Sequence, residues 1–151
     1  MTTEIRFYHL QTQSLEQALP AILMKALSGG RKAVVRFADK QEVEHFNAHF
    51  WTYNPDSFLP HGAEKDPHPK YQPVYLTDKA ENPNAADMLV LCNQKTVPEN
   101  IAGFSLCCDF LDGNDNEAVA SGRDRWKAYK DAGYSLTYWQ QTDTGGWEQK
   151  A

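Results

Sequence analysis

Short apolar runs set between helical stripes restrict this chain to a sheet flanked by helices. Lys32-Ala-Val-Val-Arg-Phe37, Val74 to Leu76, Met88 to Cys92 and Phe104 to Phe110 are brief and apolar, and polar turns bound them. Runs of this kind are strands buried on both faces, as in a parallel sheet. Glu4 to Leu10 reads as a first covered strand, with Ile5, Phe7 and His9 opposite Arg6, Tyr8 and Leu10. Helical patterns fall between the strands. Ser14 and Gln17 form a capping box ahead of Leu15, Leu19, Ile22 and Leu23, and Gly29-Gly30 ends the stripe. Pro20 sits inside it and removes a backbone donor, so a kink or a later start is expected. Asp39 with Glu42 caps a second helix to about Phe50, and a third from about Asn114 leads to a last strand near Ser135 to Trp139. This order predicts an α/β fold, a three-layer α/β/α arrangement with a largely parallel sheet, Rossmann-like in layout.

With 151 residues, 41% of them hydrophobic, the chain has enough material for one core and too little for two comfortable ones. A single domain over 1–140 is expected. Residues 141–151 read as a flexible end, since Thr142 to Ala151 carries Gly145-Gly146 and no apolar stripe, with Trp147 docking locally. Two polar, proline-bearing stretches, His61 to Lys70 and Thr77 to Ala86, read as surface connections.

The formal charge of −5 argues against a surface devoted to nucleic acid, so contact with DNA should be mainly indirect. No apolar run approaches the ~20 residues of a membrane span, and the start has no basic and apolar leader pattern. A cytoplasmic protein with no membrane partner is expected. Cys92, Cys107 and Cys108 lie in or beside apolar runs, which suits reduced, buried thiols.

Catalytic and cofactor motifs are sparse. The turn after the first strand, Gln11-Thr-Gln-Ser14, lacks the glycines that let a backbone approach phosphate, so no nucleotide-binding motif is present there. Gly29-Gly30-Arg31-Lys32 has the composition of a phosphate loop but closes a helix and opens a strand, the reverse of the required order. His45 and His49 share a helix face at i and i+4 without a third ligand, the spacing alone being common. No elbow motif presents a serine nucleophile. Asp109 and Asp112, at the end of a strand, fit either a turn with a helix cap or a site in a small nucleotide-binding or phosphotransfer enzyme. No cofactor is expected.

Two segments carry binding character. Arg123-Asp-Arg-Trp-Lys-Ala-Tyr-Lys-Asp-Ala-Gly-Tyr134 puts a basic and aromatic face on an acidic protein. At about 100° per residue, Arg123, Lys127 and Lys130 fall in an arc of roughly 60° with Trp126 at its edge. A solvated face and a docking site for a ligand with carboxylates beside a large apolar side chain both fit this pattern. The loop Phe50 to Gly62 is rich in aromatic residues and almost uncharged, so it packs on a sheet edge or against a partner.

Taken together, Phe7-Tyr8, Arg31-Lys32-Ala-Val-Val, the loop with Ser57-Phe-Leu-Pro-His61, and the Arg123 to Gly133 helix resemble the chi subunit family of bacterial DNA polymerase III, over about residues 4 to 139. The resemblance implies an α/β/α fold, no catalytic activity, and an adaptor that joins the clamp loader to single-stranded DNA-binding protein. That partner's acidic tail ends in a Phe with a free carboxylate. By motif, Arg123 and Lys127 would contact carboxylates and Trp126 would wall the Phe slot, with Lys130 adding charge from the rim and Tyr134 and Leu136 closing the slot. Phe58, Leu59 and His61 would face the clamp loader through a psi-like subunit. One departure is Gly122 in the turn before Arg123, which costs a helix about 1 kcal/mol relative to Ala.

Overall fold

Ser14 caps the first helix through the reciprocal bonds its spacing predicts: its side chain accepts from the Gln17 amide, and the Gln17 side chain accepts from the Ser14 amide. The resulting α1, Leu15–Ser28, follows strand β1, Glu4–Leu10. Next come β2 (Ala33–Arg36), α2 (Lys40–Thr52), β3 (Gly62–Ala63), β4 (Val74–Thr77), β5 (Met88–Cys92) and β6 (Leu106–Asp112). The chain then forms α3 (Asn116–Asp131), β7 (Ser135–Gln141) and β8 (Trp147–Gln149). This computed structural model describes residues 3–52, 61–63, 69–98 and 101–151.

The strands form one sheet in the order β3-β4-β2-β5-β6-β1-β7-β8, with every neighbouring pair parallel except β7 and β8. Helices α1 and α2 pack on one face over Val35, Leu76, Val90 and Phe110, and α3 packs on the other over Ile5, Phe7, Leu89 and Cys107. The α/β/α layering is thus the expected one. Full burial of both faces explains why β2 and β5 read as unbroken apolar runs. Leu19 and Leu23 of α1 are wholly buried, each worth about 1.5–3 kcal/mol relative to exposure.

Pro20 does not break α1, which runs unbroken across it. The carbonyl that its missing N–H would have served belongs to Glu16, and the His49 ring donates to it from α2 at 2.7 Å. His45 Nε2 lies 3.3 Å from the Glu16 carboxylate, so both histidines face the first turn of α1 rather than a shared ion. Among the described residues no cluster of His, Cys, Asp and Glu could hold a metal. Replacing His49 with Ala should cost about 1 kcal/mol by stranding the Glu16 carbonyl. Adding Pro20→Ala, which restores a local donor, should recover part of that loss. Urea denaturation of the single and double variants checks this, and strictly additive effects would refute the exchange of donors.

After β7 the chain stays at the sheet edge. A turn with Gly145 at φ 88 returns the chain as β8, antiparallel to β7. Trp147 anchors it, edge-on to Tyr8 at 4.9 Å between ring centres, and this burial compensates for the missing apolar stripe. β6 begins at Leu106, two residues later than its apolar run, because Phe104 turns back to the Ile101 carbonyl while staying in the core. No helix among the described residues is long and apolar enough to cross a membrane.

Candidate functional site

Helix α3 meets the sheet at Gly122. A Cβ there would lie 2.8 Å from Leu111 Cδ2, so a larger residue would require the end of the Leu111 side chain to shift. Asp115 caps the N-terminus by accepting from the Glu117 amide. The buried face is Gly122, Arg125 and Tyr129, and the opposite face leaves Arg123, Lys127 and Lys130 exposed. Trp126 is half-buried between them. Its ring stands edge-on to Phe7 at 5.4 Å and to Tyr138 at 5.9 Å.

A groove of about 410 Å³ opens where α3 leans over β1 and β7. Phe7, Trp126 and Tyr138 supply aromatic walls, His9 and Gly122 part of the floor, and Arg123 the charge at its edge. Ala151 closes one side, its carbonyl accepting from the Tyr138 amide at 3.2 Å. The His9 ring and the Tyr138 hydroxyl hydrogen-bond each other beneath the opening. Burial pushes the Tyr138 phenol up, and the Arg123 guanidinium opposes that shift. Burial also lowers His9, with the Asp112 carboxylate pulling the other way.

Folded His9 therefore holds its proton less tightly than an unfolded histidine. The unfolded state carries more protons, and stability is lost as pH falls below the ordinary value of about 6.5. Urea midpoints compared at about pH 7.5 and about pH 5.5 should fall further for this chain than for His9→Gln. Equal falls in the two proteins would remove His9 as the source.

Of the sequence-derived residues, Arg123 and Trp126 come together at the groove. Lys127 and Lys130 extend the same exposed helix face beyond it. Tyr134 and Leu136 lie elsewhere in the α3-side cluster, Tyr134 edge-on to Tyr129 at 6.2 Å, and neither lines the groove. Phe58 and Leu59 fall outside the described residues. His61 is 4% exposed, packed 4.4 Å from the Trp51 ring and donating to the Asn47 carbonyl at 3.1 Å. Trp51 itself is 53% exposed.

Sequence reasoning missed Phe7, His9 and Tyr138 as groove residues. Strand alternation could have found Tyr138, since it follows Leu136 by two and so shares its face. Arg125 was also missed, because Arg is rarely buried. Its partner is Asp109, which the spacing had assigned to a turn or a strand-end site. Instead Asp109 lies within β6, fully buried, and both of its oxygens accept from Arg125 at 2.8 Å. Tyr129 donates to the same carboxylate at 3.1 Å. Only Asp112 takes the turn role, accepting from the Asn114 amide at 2.9 Å.

The places where an α/β sheet would take a phosphate are filled otherwise. After β1, the backbone N–H groups of Gln11, Thr12 and Gln13 all converge on the Gln141 side-chain oxygen, at 3.2, 2.9 and 2.9 Å. That cluster of donors is the kind that holds an anion, and here a neutral amide satisfies it. The crevice of about 340 Å³ beyond β5 and β6 carries Asp39, Glu42, Asp115 and Glu117 against Lys95 and Arg125, and Asp109 already pairs with Arg125, so the balance of charge disfavours phosphate.

Comparison with known proteins agrees with this frame. Over 88 residues the chain is 34% identical to a protein named "Probable DNA polymerase III subunit chi" from Rickettsia prowazekii (strain Madrid E), covering 58% of this chain and 53% of the relative. The chain thus spans about half the length of the curated relative it matches. A sequence model described as "DNA polymerase III chi subunit, HolC" matches residues 1–137, which takes in β1, helices α1 to α3 and the first three residues of β7. On that match the chain belongs to the DNA polymerase III chi subunit family.

Proposed function

We propose that this chain is a non-enzymatic adaptor of DNA replication, linking a clamp loader to single-stranded DNA-binding protein by holding that protein's acidic, Phe-terminated C-terminal tail. The observation that carries the reading is the α3 groove, in which an exposed guanidinium, Arg123, stands at the edge of a slot walled by Phe7, Trp126 and Tyr138. A terminal Phe needs an apolar slot for its ring and cations for the carboxylates around it. Lys127 stands one turn beyond Arg123 and Lys130 nearly another, so an extended acidic tail can run along the helix. Tyr134 and Leu136 would support the far end of α3 rather than touch the Phe.

The clamp-loader contact, through a psi-like subunit, belongs at the other edge of the sheet. Trp51 and Tyr71 are exposed there, at 53% and 68%, and His61 props the Trp51 ring. Phe58 and Leu59 adjoin this region in sequence. DNA would be met mainly through the coating protein, because a chain of charge −5 gains little from phosphate contacts.

A fluorescent peptide ending in Asp-Asp-Ile-Pro-Phe should bind saturably, on the order of micromolar, and more weakly as salt rises. Deleting the final Phe should abolish binding. Equal affinity for the two peptides, or none for either at high protein concentration, would defeat the proposal.

A further inference from the structure

On the opposite face of the sheet from the α3 groove, three cationic side chains stand around a second opening. A cleft of about 400 Å³ lies between α1 and the starts of β1, β5 and β6. Its volume falls in the about 300–1,000 Å³ range of clefts that receive small ligands or single side chains. Tyr8, Ile22 and Trp147 give it an apolar floor, and Arg6, Lys25 and Arg31 stand around it. Among the described residues that line it, no acidic side chain occurs, although the chain as a whole carries a charge of −5. The family reading does not use this cleft.

We infer that this cleft is a second docking surface, taking an acidic peptide segment that carries one large apolar side chain. Charge complementarity argues for such an occupant. Lys25 is exposed, in the last turn of α1. Arg6 and Arg31 are held by Glu4 at 3.0 Å and by Asp87 at 2.9 Å, in half-exposed pairs that contribute little net free energy. A ligand carboxylate can therefore share these guanidiniums without a large penalty. Tyr8 and Trp147 stand edge-on to each other, and both are only partly buried, so an incoming apolar side chain meets aromatic surface already in place. Nucleic acid fits less well, because a cleft of about 400 Å³ with cations around an apolar floor offers no cationic track for a phosphate backbone.

The inference is independent of the α3 groove, and the test keeps them apart. The probe is the amidated peptide Asp-Glu-Leu-Phe-Asp-Glu, which has no terminal carboxylate, added to protein bearing Arg123→Glu. In heteronuclear NMR, saturable shifts are expected at the Lys25, Ala26 and Gly29 amides and at the Trp147 indole. Lys25→Glu should weaken binding by at least about tenfold and Lys25→Gln by less, with unchanged melting temperatures. Shifts confined to α3, no shifts at all, or equal affinity in the Lys25 variants would overturn the assignment. Broadening of the same signals on raising protein concentration without peptide would overturn it too, by identifying the occupant as a second copy of the chain.

Discussion

Asp109→Ala is expected to lower stability by about 3–5 kcal/mol, the range found when one partner of a buried ion pair is removed. The size follows from what is left behind. Arg125, 1% exposed, would keep its charge in the core without the two 2.8 Å bonds that now balance it. Tyr129 would lose its acceptor as well, while the bond from Arg125 to the Gln94 carbonyl would hold the guanidinium in place. At about 2–4 °C per kcal/mol for a chain of this size, the melting temperature should fall on the order of 10 °C. Arg125→Ala should act similarly, by stranding the Asp109 carboxylate. Replacing the pair together, as Asp109→Leu with Arg125→Met, should be much milder, because no charge remains buried. Thermal and urea denaturation of these variants decides the matter. An unshifted midpoint in Asp109→Ala would show that the pair does not anchor α3 to β6.

Reversing the charge at the groove should separate binding from folding. Arg123→Glu is expected to weaken the Phe-terminated tail peptide by about 10–100-fold, since a charged hydrogen bond is worth about 1.5–3 kcal/mol. Arg123 is exposed and makes no ion pair among the described residues, so the fold should tolerate the change. Lys130→Ala, farther from the slot, should weaken the peptide only slightly. Trp126→Ala is less clean, because the ring also packs on Phe7 and Tyr138. Calorimetry with the peptide, alongside a melting curve for each variant, reads both quantities. Full affinity in Arg123→Glu would move the tail away from α3.

Local signals marked most elements because they act over a few residues. The capping box at Ser14 and Gln17, the cap at Asp39 and the apolar runs of β2 and β5 formed as their chemistry requires. The basic face of α3 was equally legible, since its exposure follows from helical periodicity once Tyr129 turns inward. Elsewhere a distant residue supplied the partner that local patterns do not name. His49 donates to the carbonyl that Pro20 leaves open, so α1 continues. Trp147 reaches Tyr8, so a polar end becomes a strand. Arg125 balances Asp109, so a carboxylate sits in a core strand.

Sequence alone determined the layered α/β fold, the helix ends and the cationic, aromatic character of α3, because propensity, capping and periodicity are properties of neighbouring residues. Tertiary structure decided the strand order, which sets β1 between β6 and β7 and so brings Phe7 and His9 beneath Trp126. It also decided that Tyr138 rather than Tyr134 or Leu136 lines the groove, and that Asp109 is structural. Those outcomes depend on which side chains meet across the sheet. No local pattern encodes such meetings, because their free energy exists only once both partners are buried together.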